Sequence, residues 1–337
     1  MFSGCTSLTQ APALRTKTLA GSCYRAMFQN CSSLVNAPAL PALTLASYCY
    51  NAMFQGCTNL VNGPATLPAQ NVLGYSYNGM FLNCTGLKNA PSISGISMGV
   101  NACQGMFQGC TSLVNAPALH AQQLAQSCYQ SMFSGCTSLI TAPALPATTL
   151  AANCYYFMFD GCSSLENAPA ELPATALLSY CYAVMFRNCK KLVNAPVIKA
   201  TSSVVNSLQA MFQGCSLLDN IEVNFSTWVE GATGNWLSGV SASGTFTAPA
   251  GLEDVRGVNN IPDGWTFTAL PFKSVLSYLE STGTQYINTA KAPDFTNGDA
   301  IEAIFYKPNH TIGDKVILGS REQNATNGLY INAVAVV

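Results

Sequence analysis

Charge and histidine are scarce in this chain. Of its 337 residues, 14 are Lys or Arg, 15 are Asp or Glu and 2 are His, which leaves a net charge of −1. Charged residues make up 9% of the chain, against about a quarter in typical soluble domains. Because a nearly neutral chain lacks the electrostatic footprint of a nucleic-acid binder, we expect no nucleic-acid partner.

Patterns typical of catalysis and of membrane insertion are also missing. His120 and His310 lie outside any recognisable nucleophile or metal-ligand pattern, and the few carboxylates of the first 218 residues are scattered. No Gly-rich phosphate loop occurs. No apolar run approaches the roughly 18 residues of a membrane span, and no signal peptide is visible. We therefore predict a protein that is not an enzyme, needs no cofactor and inserts no segment into a membrane.

What the chain does have is a repeat. A Met-Phe pair recurs with steps of 26 or 27 residues, at Met1, Met27, Met53, Met80, Met106, Met132, Met158, Met185 and Met211. Self-similarity at such a period indicates a solenoid, in which each copy needs its neighbours to bury its apolar face. Because the first copy lacks the half that precedes its Met, we expect the chain to be part of a longer protein.

The first half of the repeat suits a strand. Counted from the Met, position 8 is Leu in all nine copies and position 12 is Pro in the first eight. Since Pro cannot donate to a ladder, the stretch between them, such as 113–116, predicts one short parallel strand per turn. Its inward-facing leucines include Leu34, Leu60, Leu113, Leu139 and Leu165.

The second half of the repeat suits a helix. Leu124, Cys128 and Met132 lie at i, i+4 and i+8, which is typical of the apolar stripe of a helix. Position 4 is Gly or Asn in every copy, and these residues accept the positive φ found at a helix end. The predicted fold class is an α/β solenoid of about nine turns, with a short parallel strand plus a short helix per turn.

Cysteine is abundant, at 15 residues. Nine cysteines occupy position 5 and six lie in the predicted helix, with no pair at C-x-x-C spacing. In stacked coils the Cβ vectors of neighbouring cysteines would run parallel and not converge. We predict that Cys110, Cys136, Cys162 and their equivalents are inert core thiols, and disulfides or metal ligation are the less favoured alternatives.

Two further columns are candidates for function. The first is an Asn column that includes Asn115 and Asn167, which we expect to satisfy backbone groups at the turn. A ligand-binding row of amides is the alternative. The second is position 9, which points outward if position 8 points inward. It forms a candidate partner surface of Val35, Val61, Lys88, Val114, Ile140, Glu166 and Val193. β-branched residues also favour strands that bind nothing, so both interpretations stay open.

The composition changes where the repeats stop. Residues 1–218 contain 11 charged residues and the remaining 119 contain 18. All three tryptophans lie in 219–270, which predicts a C-terminal cap or linker after a solenoid of residues 1–218. Alternating β-type runs predict a partial β-rich domain, a truncated β-sandwich segment, in residues 271–337.

The phrase MFxGCTSL, as in 132–139, resembles the 26-residue repeat of the BspA-like leucine-rich-repeat group of bacterial surface proteins. The resemblance implies a non-enzymatic leucine-rich repeat protein, extracellular or at the cell surface, that adheres to a host or microbial protein or glycan. Residues 278–287 are similar to the opening of a concanavalin-like (laminin-G-like) jelly roll, which implies carbohydrate binding. Two alternatives stay open: a receptor-binding or spacer protein of a phage tail, hence a virion component, and the non-catalytic part of a larger glycan-active enzyme.

Overall fold

A computed structural model describes residues 1–270, together with the backbone of residues 316–319 and 330–333. The chain divides into two compact units, Met1–Leu270 and Pro271–Val337. Residues 1–270 contain no helix. Over the part of the chain that the structure describes, no helix is long and apolar enough to cross a membrane.

Short strands form the regular structure. They are β1 Thr66–Leu67, β2 Asn71–Val72, β3 Ser92–Ile93, β4 Ser97–Met98, β5 Glu171–Leu172, β6 Val197–Ile198, β7 Asn220–Glu222, β8 Gly244–Pro249, β9 Trp265–Leu270, β10 Val316–Gly319 and β11 Tyr330–Ala333. In the first unit every pair is parallel: β1 with β3, β2 with β4, β5 with β6, and β7 with β8 with β9. Pairing between successive copies of the repeat is what a solenoid requires.

Isolated parallel bridges continue the stacking where no strand is assigned. Asn36 pairs with Asn62, and Asn62 pairs with Asn89. The first unit is therefore a β-solenoid of about eight turns. The strand predicted after the column leucines is reduced to a single bridge, except after Leu218, where β7 begins. Leu113 and Leu139 are fully buried. Burial of each such leucine contributes about 1.5–3 kcal/mol.

The predicted helix in each turn is wrong. In its place the chain forms a ribbon of overlapping turns, in which hydrogen bonds alternate between the same coil and the next one. The Met106 N–H donates to Cys103 O at 3.2 Å, whereas the Phe107 N–H donates to Met132 O in the next coil at 2.9 Å. All backbone donors from 101 to 110 are satisfied in this alternating way.

The spacing between coils explains why a helix does not fit. The phenylalanines of the Met-Phe pairs stack on one another with ring centroids between 5.3 and 5.6 Å apart. The coils therefore advance by roughly one strand spacing on this side also. Packed helix axes need about 8–10 Å, so helices in successive coils would collide.

The sequence pattern that suggested the helix has another meaning. Leu124, Cys128 and Met132 are indeed buried, but a spacing of four residues is also two periods of an alternating ribbon. The positive φ predicted for position 4 is confirmed in all nine copies, for example Gly109 at 73° and Asn83 at 58°. This position ends the ribbon and not a helix.

Residues 219–270, predicted as a cap or linker, continue the stack. The Phe212 N–H donates to Trp236 O at 2.9 Å, so Trp236 follows the phenylalanine column. Trp236 and Phe246 are fully buried, and these residues belong to the same compact unit as the repeats. Leu218 is thus where the Met-Phe phrase ends, while parallel stacking extends to β9.

The second unit contains one described feature. Strands β10 and β11 pair antiparallel, with Val316 opposite Ala333. The segment 278–287, from which a concanavalin-like domain was predicted, lies outside the described residues.

Candidate functional site

The interior is a set of parallel side-chain ladders. Each position-5 thiol from Cys31 onward donates a hydrogen bond to the phenylalanine carbonyl of the preceding coil, as Cys110 does to Phe81 O and Cys136 to Phe107 O, both at 3.1 Å. Every cysteine is a free thiol. The thiols therefore tie neighbouring coils together without a covalent bond.

Burial makes these thiols unreactive. Desolvation raises the pKa of Cys136 to about 12 and holds the pKa of Cys110 and Cys162 well above its usual value. Since the thiolate is the nucleophile and the metal ligand, thiols of this kind are poor candidates for either role. Among the described residues, no group of three or more His, Cys, Asp and Glu side chains could hold a metal ion.

The position-9 stripe, defined above as the candidate partner surface, lies on the outside of the solenoid. Val35, Val114, Ile140 and Val193 are 42%, 38%, 40% and 39% exposed. Val61 is half-buried, whereas Lys88 and Glu166 are exposed.

Backbone hydrogen bonds hold the stripe in register. The Val61 N–H donates to Val35 O at 2.9 Å, and the Ile140 N–H donates to Val114 O at 3.3 Å. The stripe is therefore brought together on one surface, and its partner stays a prediction.

The Asn column forms a ladder of side chains. Asn62 Nδ2 donates to Asn36 Oδ1 and Asn89 Nδ2 donates to Asn62 Oδ1, both at 2.6 Å, and Asn167 Nδ2 donates to Thr141 Oγ1 at 3.2 Å. In these bonds the amides pair with side chains of neighbouring coils, and the backbone role expected of this column stays a prediction. In-register stacking places equivalent amides one strand spacing apart, where they bond to each other.

Asn115 shares the backbone pairing of this column. It forms a parallel bridge with Thr141.

A second surface, the ribbon face, is formed by the side chains of the turn ribbon two and five residues before each Met, most of which are half-buried. Its centre is a row of amides. Asn51 Nδ2 donates to Asn78 Oδ1 at 3.3 Å, Asn78 Nδ2 to Gln104 Oε1 at 2.9 Å, and Asn101 Nδ2 to Gln104 Oε1 at 2.5 Å.

Aromatic groups flank this row on both sides. The rings of Tyr48 and Tyr75 stack at 4.7 Å with an interplanar angle of 6°, and Arg25 lies over the Tyr48 ring at 5.6 Å. On the other side Tyr156 and Tyr180 form a tilted pair at 5.5 Å. The ribbon face therefore combines uncharged amides with half-exposed aromatic rings.

Three ion pairs join one particular pair of coils. Acidic side chains that follow Met158 pair with basic side chains that follow Met185, as Asp160 with Arg187 at 2.8 Å, Glu166 with Lys191 at 3.0 Å and Glu171 with Lys199 at 3.3 Å. This charged junction has three acids on one side and three bases on the other.

The repeat, its leucine column and its stacking agree with a match to a known protein family. A family model described as the BspA type leucine-rich repeat region, with six copies, matches residues 1–114, 101–218 and 152–251. The chain belongs to the BspA-type leucine-rich repeat family.

In this BspA-type chain the match extends beyond Leu218 to residue 251, which agrees with the continued stacking of 219–270. A solved structure, that of a leucine-rich repeat protein from Bacteroides ovatus ATCC 8483, is 16% identical to this chain over 73% of this chain and 77% of that one, with a TM-score of 0.28. No curated protein sequence matches the chain.

Sequence reasoning missed the ribbon face of this BspA-type solenoid. The columns two and five residues before the Met are three residues apart and would share one face of a helix. Each column contains several residue types, so neither gives an obvious repeating signal. The signal that could have found them is the restriction of both columns almost entirely to Asn, Gln, Ser and Tyr.

Proposed function

We propose that this chain is a non-enzymatic binding protein, secreted or displayed at the cell surface, whose rigid repeat scaffold presents surfaces for a protein or glycan partner. The family to which it belongs is associated with bacterial surfaces and adhesion. The observation that carries the proposal is the position-9 stripe, in which β-branched side chains such as Val35, Val114 and Ile140 are about two-fifths exposed. Interface cores are depleted in charge and contain such apolar groups.

The stripe is rigid, and this favours binding. Its backbone is tied to the neighbouring coils by hydrogen bonds such as Glu166 N–H to Ile140 O at 3.0 Å. A surface that is ordered before binding loses little conformational entropy on association. The thiols are buried, and the stripe carboxylate Glu166 is paired with Lys191 at 3.0 Å, so we propose a binding role and not a catalytic one.

The stripe can be tested by placing charge on it. Val61, Val114 and Val193 are changed together to Lys, which the stripe already accepts at Lys88. We expect weaker binding to immobilised host matrix proteins, by about tenfold or more, measured by surface plasmon resonance. The matched control is Thr111→Lys, an exposed substitution outside the stripe. Equal binding by the triple variant and the wild type would remove the stripe from the proposal.

A phage-tail spacer and the non-catalytic part of a glycan-active enzyme are the second and third candidates. The complete reading frame and its gene neighbours separate them from a surface adhesin. A tail-assembly neighbourhood would favour the second, and a catalytic domain in the same chain would favour the third.

A further inference from the structure

The ribbon face differs chemically from the position-9 stripe. Its centre consists of amides, of which Asn51, Asn78 and Gln104 are half-buried and bonded in a row across the coils. Each inter-amide bond uses one donor and one acceptor site, and a side-chain amide offers two N–H donors and two acceptor lone pairs. Asn51 Nδ2 also donates to Tyr75 O, and Gln104 Oε1 accepts two bonds. Asn51 Oδ1, one N–H of Asn78 and the Nε2 of Gln104 are therefore left for a ligand while the side chains are fixed in place.

The aromatic residues of this face occupy backbone positions that suit other residues better. Tyr48, Tyr75 and Tyr180 have φ of 63°, 60° and 57°. The equivalent positions in other copies are small or polar: Ser22, Asn101, Ser127, Asn153 and Asn206. Asn and Ser accept positive φ more readily than bulky residues do.

Phe157, one residue before Met158, is likewise a bulky residue with a positive φ, of 58°. Six of the eight equivalent positions are occupied by Ala, Gly or Ser, namely Ala26, Ala52, Gly79, Gly105, Ser131 and Ala210. Strained bulky residues on an exposed face are not required by the stacking, since small residues stack equally well there. Backbone strain of this kind concentrates at functional sites.

Arg25, the charged side chain of the two columns that define this face, lies over the Tyr48 ring at 5.6 Å, and the nearby Arg187 is paired. Arg187 forms a bidentate pair with Asp160 at 2.8 and 2.9 Å and lies over the Phe157 ring at 5.2 Å. A ligand with a chain of negative charges needs a row of unpaired Lys or Arg. The amide row has none, which argues against nucleic acid and sulfated glycans.

We infer that the ribbon face binds a neutral polysaccharide strand. A pyranose ring has an apolar C–H face, which stacks on aromatic rings, and hydroxyl groups at its rim, which exchange hydrogen bonds with amides. Tyr75 and Tyr180 are four coil steps apart, about 20 Å at about 4.8 Å per step, and the amides of Asn101, Gln104 and Gln130 lie in the coils between them. Several consecutive sugar units can therefore contact rings at both ends and amides in the middle. This inference rests on the proposed binding function and assigns it a ligand class and a surface.

The test replaces the aromatic rings without disturbing the backbone. Tyr48, Tyr75 and Tyr180 are changed together to Ser, the residue that Ser22 and Ser127 supply at φ of 60° and 54° in equivalent positions. The probes are laminarin, dextran and yeast mannan as neutral polysaccharides, with heparin as the polyanion. Binding to the full chain is measured by isothermal titration calorimetry, and circular dichroism confirms that each variant is folded. Thr111→Lys, an exposed substitution outside both the ribbon face and the position-9 stripe, is the control.

We expect the wild type and the Thr111→Lys control to bind one of the neutral polysaccharides equally, and the Tyr-to-Ser variant to bind it about tenfold more weakly or worse. Equal binding by the Tyr-to-Ser variant, or binding of heparin alone, would overturn the inference and leave the proposed binding function in place. A wild type that binds matrix proteins but no neutral polysaccharide would do the same. A wild type that binds none of the polysaccharides and none of the matrix proteins would overturn both.

Discussion

Two junctions between neighbouring coils differ in charge but have the same interior. The neutral junction joins the coils of Met106 and Met132, and the charged junction joins the coils of Met158 and Met185. The phenylalanine rings are 5.5 Å apart in the first and 5.3 Å in the second. The thiol-to-carbonyl bonds are 3.1 Å and 3.2 Å. Outside, one junction pairs Asn115 with Thr141 and carries no ion pair in the described structure, while the other carries three. The buried columns therefore determine the stacking, and the exposed columns are available for specific contacts.

The largest expected effect concerns the shared interior and comes from alkaline pH. The pKa of thiols such as Cys57, Cys136 and Cys215 is raised by burial from 9.0 to about 12. Below pH 9 these thiols are neutral in both the folded and the unfolded chain, so the fold keeps its full stability. Above pH 9 they ionise in the unfolded chain first, which favours unfolding. Stability is therefore lost as the pH rises from 9 towards 12, by up to about 1.4 kcal/mol per pH unit for each deeply buried thiol.

We expect the free energy of unfolding to change little between pH 7 and 8.5 and to fall by several kcal/mol by pH 10.5. Urea unfolding followed by circular dichroism in a reducing buffer measures it. A pH-independent midpoint up to pH 10.5 would contradict the buried thiol ladder.

The column leucines test whether the two junctions have equal interiors. Leu139→Ala and Leu165→Ala each remove a fully buried side chain, and each should lower the free energy of unfolding by about 2–5 kcal/mol. The control is Ile140→Ala, whose side chain is 40% exposed and whose loss should cost less than about 1 kcal/mol. Urea unfolding of the three variants makes the comparison. A clear difference between the two leucine variants would show that the charged junction is packed differently inside.

Two glycines of the position-4 column, Gly109 and Gly135, form a matched pair of sites at which substitution should have an intermediate effect on stability. A Cβ at Gly109 would overlap Asn83 Oδ1 in the preceding coil, whereas a Cβ at Gly135 would meet only the Gly109 backbone at 3.7 Å. Both glycines have φ of 73°, so their backbone strain is the same. Gly109→Asn should therefore destabilise the fold by about 1 kcal/mol more than Gly135→Asn. Thermal unfolding of both variants measures the difference, and equal melting temperatures would show that Asn83 moves aside without cost.

The smallest effect concerns the ion pairs. Asp160 and Arg187 follow their Met at the same distance as Ser134 and Gln108 do in the neutral junction. Asp160→Ser and Arg187→Gln should each cost about 1 kcal/mol, and the double variant should cost less than their sum because it removes both charges. A double-mutant cycle by urea unfolding, at low and at high salt, measures the coupling. Strict additivity at low salt would show that the pair contributes nothing.

The sequence allowed the stacking to be predicted, together with the inward leucines and the positive φ of position 4, because each of these repeats in every copy. The ribbon could not be predicted, because spacing of four residues fits both a helix and an alternating chain. Cys103 shows a further limit. It was counted with the helix cysteines, yet it takes the place of a tyrosine between Tyr77 and Tyr129, and Met98 Sδ approaches its Sγ at 4.0 Å. A substitution compensated by a residue in another column leaves no periodic signal.

The hydrogen bonds that link Phe107 to Met132 and its equivalents run from coil to coil. Tension applied through the chain at one end of the stack would strain the bonds of the outermost coil first, and that coil would peel away while the rest stayed folded. Each event would release one repeat of 26 residues, about 90 Å of extended chain. The solenoid would in this way yield by even steps and would not fail all at once.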